Sequence, residues 1–188
     1  MDHVTIRLER DGDEPGIAAA HIEAWLASVE SDGARVLCVD HQDWIQQRRI
    51  RLAAIGEAST LVAEVGDVIV GHLTWGRCPG SGYLLCRIWS CYVHPDHWGT
   101  GIADQLLLEA LRALKGLDVE LDVALGNGRA RRFYERHGFR LAGSDLHFDA
   151  RRPVRYRLDR SVSGLHAPLS DGTIGVCTRA STDLPAPG

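Results

Sequence analysis

The chain of 188 residues has the length of one domain, and its content of 45% hydrophobic and 24% charged residues is typical of a soluble globular protein. A net charge of -4 gives no basic surface for nucleic acid, and no apolar run approaches the ~18 residues of a membrane span. The five cysteines form no CxxC pair and the charged N-terminus has no apolar signal segment, so we expect a cytoplasmic protein without nucleic-acid or membrane partners.

Periodicity predicts a strand and two helices in the first part of the chain. Residues 3–8 alternate between apolar and polar side chains, which is typical of a strand. Asp13 and Pro15 are helix-start residues, and a helical stripe of apolar side chains follows them. Asp40 is placed to cap a second helix over residues 41–55.

The rest of the chain predicts strands alternating with helices. Two strands form a hairpin that turns at Gly66, and a short helix that begins at Asn127 is closed by Gly138. The other predicted elements are a strand over 83–93, a helix over 102–115, a strand over 117–125 and a last strand over 153–159. The order β-α-α-β-β-β-α-β-α-β-β mixes hairpins with crossover helices, which indicates a mixed α/β sheet.

The composition changes after Arg160, where Ser, Gly, Thr and Pro become frequent and no hydrophobic period remains. Such a segment does not supply the apolar surface that a packed core needs. We therefore expect a single domain over residues 1–160 and a weakly ordered tail over residues 161–188.

A glycine-rich turn, Gly99-Thr100-Gly101, stands where a strand gives way to a helix. The start of a helix offers unpaired N–H groups and a partial positive charge, so phosphates bind there. A P-loop would continue with Lys and Ser or Thr, but Ile102 follows here. A dinucleotide fingerprint would need a third glycine where the chain has Asp104, so a nucleotide-dependent oxidoreductase, which would bind NAD, is the weakest alternative.

A third type of phosphate motif fits this turn. The stretch "VHPDHWGTGIADQLL" resembles the pyrophosphate loop of the GNAT superfamily of acyl-CoA-dependent N-acyltransferases, which has the pattern Gln/Arg-x-x-Gly-x-Gly/Ala after a strand that ends in V-x-P. Gly101 and Ala103 occupy the two small positions of this pattern. Trp98 stands where the family usually has Gln or Arg.

A second motif of the same superfamily follows about one helix and one strand later. The stretch "NGRARRFYERHGF" resembles the pattern N-x-x-A-x-x-F-Y-x-x-x-G-F. The matching residues are Asn127, Ala130, Phe133, Tyr134, Gly138 and Phe139. The resemblance covers residues 3–160 in element order, and it implies a mixed, mostly antiparallel central sheet that is splayed at the acyl-CoA site and flanked by helices on both faces.

The resemblance implies acetyl-CoA as co-substrate and no metal. The pyrophosphate would be held by the backbone of Trp98, Gly99, Thr100, Gly101, Ile102, Ala103 and Asp104. The pantetheine arm would pair like an added strand with Cys91, Tyr92 and Val93, and an N–H at Tyr92 or Val93 would polarise the thioester carbonyl. Asn127 would bind the CoA arm or a bridging water, besides capping its helix.

The resemblance also implies the catalytic residues. Tyr134 would give a proton to the leaving thiolate, which depends on positioning because a phenol with a pKa near 10 is a weaker acid than a thiol near 8.5. An alkyl amine has a pKa near 10.4, so a base must take its proton. Some relatives carry a Glu where this chain has Arg87, and we expect Asp122 to be the base. The other candidates are Glu64, His72, His21 and a water chain.

The predicted function is transfer of an acetyl group from acetyl-CoA to a primary amine by direct attack in a ternary complex. The acceptor is a small molecule or a protein N-terminus or lysine, and Trp25 and Trp44 would line its site. A non-catalytic acyl-CoA-binding sensor or scaffold is the alternative, and a second copy of the chain, in a homodimer, is a further candidate partner. His94 and His97 are not expected to bind metal, and five-residue spacing predicts that Cys86 and Cys91 face opposite sides of their strand.

Overall fold

The computed structural model of the chain describes residues 3–30, 40–78, 85–142 and 153–160. Within these ranges the elements follow the predicted order, with a short 3-10 turn before α3. Their bounds are β1 Val4–Leu8, α1 Glu14–Glu30, α2 His41–Ile55, β2 Ala58–Val65, β3 Val68–Arg77, β4 Leu85–Val93, α3 Ile102–Ala113, β5 Asp118–Ala124, α4 Gly128–Arg136, β6 Arg140–Leu141 and β7 Pro153–Leu158. The predicted tail over residues 161–188 and the first residues of the predicted strand 83–93 lie outside the described residues.

Two predicted helix boundaries are confirmed by their hydrogen bonds. The Asp40 side chain accepts from the N–H groups of Gln42 and Asp43 at 2.8 and 3.0 Å, which caps α2. Gly138 has a φ of 87° after α4, and the N–H of Phe139 donates back to the carbonyl of Tyr134. Local sequence therefore sets where these helices begin and end.

The seven described strands form one sheet in the order β1-β2-β3-β4-β5-β7-β6. Every neighbouring pair is antiparallel except β4 and β5, which are parallel and joined by the crossover through α3. The prediction of a mixed, mostly antiparallel sheet is confirmed. No helix in the described part of the chain is long and apolar enough to cross a membrane.

Helices cover both faces of the sheet. His72 of β3 lies opposite Tyr92 of β4, and both rings contact His21 of α1. The next pair, Leu73 and Cys91, faces the other way and belongs to the core that α3 completes. α1 and α2 therefore lie on one face and α3 on the other, as the predicted fold requires. Neighbouring residues at the end of β4 consequently reach two separate environments.

α3 owes its position to an apolar stripe with helical spacing. Ile102, Leu106 and Leu107 are at most 1% exposed and pack into the main core. Full burial of such a side chain contributes about 1.5–3 kcal/mol relative to exposure. This packing fixes the start of α3, and with it the glycine turn, against the sheet.

The pairing of β3 with β4 contains an irregularity that was not predicted. Trp75 of β3 pairs with Ile88, but the preceding residue of β3 pairs with Ser90, so Trp89 is an extra residue in β4. This bulge reverses the alternation of the strand. Cys86 and Cys91 consequently lie on the same face, in or against the main core. The prediction that these two cysteines face opposite sides is wrong for this reason.

The sheet opens at the same point. β4 and β5 pair from Leu85 opposite Asp118 to Ile88 opposite Leu121. β4 then continues to Val93 without β5 as a partner. The bulge at residue 89 lies where this pairing ends. The loss of pairing between β4 and β5 confirms that the sheet is splayed, as predicted.

Candidate active site

The loop between β4 and α3 contains two glycines in the left-handed conformation. β4 ends at Val93, a 3-10 turn covers Pro95–His97, and α3 begins at Ile102. Gly99 and Gly101 have φ angles of 81° and 85°. A Cβ at either position would meet no atom within 4 Å. The backbone conformation, and not a lack of space within the chain, therefore requires glycine at both positions.

The first turn of α3 has no side-chain cap. Gly101 occupies the N-cap position, so no side-chain oxygen accepts from the N–H groups that follow. Two side chains of the loop itself hold it together. The Trp98 indole N–H donates to the Val93 carbonyl at 2.6 Å, and the Thr100 hydroxyl donates to the His97 carbonyl at 2.7 Å. This is the type of helix start at which phosphates bind.

The end of β4 has one edge without a strand partner in the described ranges. Its other edge pairs with β3 up to Val93, whereas pairing with β5 ends at Ile88. An unpaired edge presents N–H and C=O groups to which an extended ligand can add like a strand. The predicted cofactor residues Cys91, Tyr92 and Val93 all lie on this open part of β4, directly before the glycine loop.

Tyr134 of α4 is 7% exposed, and its hydroxyl lies close to the thiol of Cys91, which packs against the same core. Burial raises the pKa of Tyr134 well above its usual value, and the neighbouring Cys91 raises it further. Burial also raises the pKa of the Cys91 thiol to about 12. Both groups therefore carry their protons at neutral pH. Tyr134 can donate a hydrogen bond, and Cys91 is not a thiolate nucleophile.

The start of α4 lies against the glycine loop. The Asn127 side-chain oxygen accepts from the Ala130 N–H at 2.9 Å, so Asn127 caps this helix. Arg129, in the same turn, places its guanidinium carbon 3.7 Å from the centre of the Trp98 ring. The two sequence motifs, which are separated by a helix and a strand, are therefore in direct contact in the fold.

Asp122 lies on the face of the sheet opposite to the main core, in a network of charges. Its carboxylate accepts from Arg155 at 3.0 and 3.3 Å and lies 3.6 Å from Arg87. Glu120, on the same face, lies 2.7 Å from Arg87. The side chain of Asp122 is 33% exposed and that of Glu120 only 7%. Asp122 is therefore the more accessible carboxylate of this network.

Two candidate bases form a pair on the α1 face. The Nδ1 atom of His21 lies 3.0 Å from the Nε2 atom of His72, so one nitrogen donates to the other. The ring of Tyr92 lies 3.9 Å and that of Trp44 lies 4.6 Å from the His21 ring, measured between centroids. Burial lowers the pKa of His72 to about 3, and burial together with His72 lowers that of His21. Both imidazoles are therefore neutral at pH 7. Trp25, also predicted near the acceptor, is half-buried on α1 outside this cluster.

The remaining candidates have other partners. Glu64 forms an ion pair with Arg7 at 2.9 Å across β1 and β2. The Nε2 atom of His94 lies 2.7 Å from a carboxylate oxygen of Glu23 on α1. Among the residues that the structure describes, no group of three or more His, Cys, Asp and Glu side chains is arranged to hold a metal ion.

Sequence reasoning considered His21 and His72 separately and missed that they form one pair. It also missed the contact between Arg129 and Trp98. The sequence offered one signal for this contact, since Arg129 falls inside the second motif and Trp98 inside the first. The contact of Asp122 on β5 with Arg155 on β7 could not be predicted from the sequence, because only the order of the strands in the sheet brings the two residues together.

Comparison with known proteins agrees with this geometry. The sequence profile of the acetyltransferase (GNAT) family matches residues 20–139, which is more than half of the chain. No curated protein sequence matches the chain.

Solved structures with the same fold cover most of this chain. PaiA N-acetyltransferase from Thermoplasma acidophilum, in complex with coenzyme A, is 17% identical, with a TM-score of 0.63 over 82% of this chain and 98% of that one. YncA from Salmonella typhimurium, a putative acetyltransferase with its cofactor acetyl-CoA, is 22% identical, with a TM-score of 0.62 over 88% and 98%. An acetyltransferase from Thermus thermophilus is 18% identical, with a TM-score of 0.67 over 84% and 99%.

The buried histidine pair predicts a loss of stability in mild acid. The pKa of His72 is about 3 in the fold and about 6.5 in an unfolded chain. Between these values the unfolded state binds more protons, so the free energy of unfolding falls as the pH falls. From pH 7 to pH 5 the loss from His72 should be about 2 kcal/mol, because each pKa unit corresponds to about 1.4 kcal/mol.

Urea unfolding of the wild type and of His72→Gln at pH 7 and pH 5 measures this effect, because contributions from groups that do not contact His72 cancel in the difference. The difference in unfolding free energy between the two proteins should shrink by about 2 kcal/mol at pH 5. A difference that is the same at both pH values would show that His72 is not held neutral by the fold.

Proposed function

The chain belongs to the acetyltransferase (GNAT) family, and we propose that it transfers the acetyl group of acetyl-CoA to the nitrogen of a primary amine. The observation that carries this proposal is the continuity of two features. The open edge of β4, from residue 89 to Val93, leads directly into the uncapped start of α3 at Ile102. An acyl-CoA carries amide groups in its pantetheine arm and phosphates beyond that arm. One molecule could therefore contact the open edge with its amides and the start of α3 with its phosphates.

In this proposal the backbone of residues 98–104 holds the pyrophosphate and residues 91–93 pair with the pantetheine arm. The amine attacks the thioester carbon, a C–N bond forms, and the carbonyl oxygen becomes an oxyanion. An N–H group of Tyr92 or Val93 stabilises this negative charge. The C–S bond then breaks, and the CoA thiolate takes a proton.

Tyr134 is proposed as the donor of that proton. Its hydroxyl lies beside Cys91 on the open part of β4, where the thioester sulfur would be. The raised pKa of Tyr134 keeps the phenol protonated, so the donor is present throughout the neutral pH range. The transfer to a thiolate is uphill in pKa and therefore depends on hydrogen-bond distance.

Asp122 is proposed as the base that takes the proton of the amine. It lies one residue beyond Leu121, the last residue of β5 that pairs with β4, and it is the accessible carboxylate of its network. Arg87 and Arg155 orient its carboxylate. The amine would approach from this face of the sheet, opposite to Tyr134.

A panel of primary amines with acetyl-CoA, followed by the release of free thiol, tests the function directly. The panel includes amino acids, polyamines, aminoglycosides and peptides with a free N-terminus or a lysine. Acetylation of at least one class supports the enzyme. Tight binding of acetyl-CoA without transfer to any amine would instead favour a non-catalytic acyl-CoA-binding module. The presence of Arg87 at a position where some relatives carry a catalytic Glu also favours this alternative.

CoA should stabilise the protein against heat, and NAD should not. At a concentration of 100 times the dissociation constant the expected gain is about 2.7 kcal/mol. Gly101→Val should abolish the shift in melting temperature, since a β-branched residue is strained at a φ of 85° and disturbs the loop. Gly116→Val is the matched control, because Gly116 has a φ of 81° and an equally open Cβ position at the other end of α3. No shift with the wild type would refute the phosphate site.

Tyr134→Phe should lower turnover by about 10²–10⁴-fold, the usual contribution of one general acid, with little change in acetyl-CoA affinity. Steady-state kinetics with a good acceptor measure this as a fall in kcat without a matching rise in KM. Tyr156→Phe also removes a buried hydroxyl, one that donates to Glu135 at 2.7 Å away from the site, and it controls for lost stability. Unchanged turnover in Tyr134→Phe would mean that water supplies the proton.

Asp122→Asn should reduce activity at neutral pH and recover part of it at alkaline pH, where the amine loses its proton without help. The pH profile of kcat/KM measures this. Asp118→Asn is the control, since Asp118 is a carboxylate on the same strand that pairs with Arg157 at 2.7 Å. A profile that keeps its shape in Asp122→Asn, with only lower stability, would make Asp122 a structural residue.

A further inference from the structure

The proposed pyrophosphate loop carries no fixed positive charge of its own. Residues 94–111 contain neither Lys nor Arg, and the first turn of α3 carries the acidic Asp104. A pyrophosphate brings about two negative charges to this turn. Helix N–H groups contribute a partial charge only, so charge-assisted hydrogen bonds from a cation elsewhere in the fold would be needed to match the ligand.

Arg129 is a cation in contact with this loop. Its guanidinium carbon lies over the Trp98 indole, 3.7 Å from the ring centre. In the described part of the chain, no carboxylate lies within ion-pair distance of Arg129. Partial burial lowers the pKa of Arg129, but a guanidinium remains charged at neutral pH. A charged group that is partly desolvated and lacks a counterion is suited to an anionic ligand.

Trp98 holds this guanidinium in place. The indole N–H donates to the Val93 carbonyl at 2.6 Å, so the ring is fixed to the end of β4. Stacking uses the face of the guanidinium and leaves the N–H groups at its edge free to donate. A guanidinium edge matches a phosphate with two parallel hydrogen bonds.

The other arginines of α4 differ from Arg129 in their surroundings. Arg131 donates to the Tyr156 hydroxyl at 3.0 Å and to a backbone carbonyl. Arg136 lies 3.9 Å from Asp104 and stacks on an aromatic ring of its own helix. Arg132 is exposed. Among the described arginines of this helix, Arg129 is the one that contacts the loop through the Trp98 ring and keeps its edge free.

We propose that Arg129, supported by Trp98, binds the pyrophosphate of acyl-CoA and supplies the positive charge that the glycine loop lacks. The inference rests on the proposed function, since it assigns a further residue to the same cofactor site. It makes the site selective for acyl carriers that bear the diphosphate, and it couples the two sequence motifs through the ligand.

Isothermal titration calorimetry tests the assignment with three probes: CoA, 3′-dephospho-CoA and pantetheine, which has no phosphate. Arg129→Ala should weaken CoA binding on the order of ten- to a hundredfold, as expected for the loss of a charge-assisted contact. The same loss is expected with 3′-dephospho-CoA, because both probes carry the pyrophosphate. Pantetheine affinity should be unchanged. A loss that disappears with 3′-dephospho-CoA would move the contact to the 3′-phosphate and overturn the assignment.

Arg132→Ala is the matched control, because it removes one exposed arginine from the same helix. Its effect on CoA affinity should be less than about threefold, as for a general change in charge near the surface. An equal loss in both variants would show that Arg129 acts only through net charge. Circular dichroism melting without ligand shows that each variant folds.

Trp98→Leu removes the platform and keeps the arginine. If Trp98 positions Arg129, this change weakens CoA binding several-fold in the wild type but adds little in Arg129→Ala, which is the signature of a coupled pair. Fully additive effects would contradict the support role of Trp98. Arg129→Lys keeps the charge without the planar fork, so it should retain only part of the affinity.

The two proposals fail in different ways. If the wild type binds no CoA, the proposed function is wrong and the assignment of Arg129 fails with it. If the wild type binds CoA and Arg129→Ala binds it equally well, the assignment alone is wrong. If CoA binds and Arg129→Ala weakens it while no amine is acetylated, the pyrophosphate contact stands and the catalytic proposal does not.

Discussion

The loss of pairing between β4 and β5 beyond Ile88 is the constraint on which the rest of the site depends. Backbone N–H and C=O groups must be satisfied, so an edge that opens inside a sheet is costly unless water or a ligand takes its place. The bulge at Trp89 turns β4 at the point where this pairing stops. An uninterrupted parallel pair would close the edge and leave residues 91–93 as ordinary core strand.

The same opening separates the chemistry into two sides. Cys91 points toward Tyr134 and the α3 face, whereas its neighbour Tyr92 points toward His21 and the α1 face. On the α3 face, Tyr134 and Cys91 are buried enough to keep their protons. The opposite face has the neutral imidazoles of His21 and His72 on one side of the opening and the charged network around Asp122 on the other. A reaction that brings two reactants to opposite sides of one carbonyl requires an arrangement of this type.

The features that could be predicted from the sequence are those that depend on a few neighbouring residues. Asp40 caps α2 and Gly138 ends α4 because capping depends on a few neighbouring residues. The two motifs indicated the family, and the order of the elements indicated a mixed sheet. The bulge at Trp89 was not predicted, because most residues of β4 are apolar and a one-residue shift in the alternation is therefore hidden in its sequence. Contacts such as Trp98 with Arg129 join residues that are distant in sequence, and only the strand order determines which of them meet.

The topology of the sheet also has a consequence for how the chain reaches this structure. β2, β3 and β4 follow one another as antiparallel neighbours, whereas β1 and β5 pair with strands that are distant in sequence. Loop-closure entropy makes the consecutive pairings the least costly contacts to form and the crossover pairing the slower one. The half-open groove beside β4 therefore belongs to a junction that forms after the hairpins of β2, β3 and β4. The nascent chain exposes that edge until β5 arrives, and a ligand held there would also hold the two halves of the sheet together.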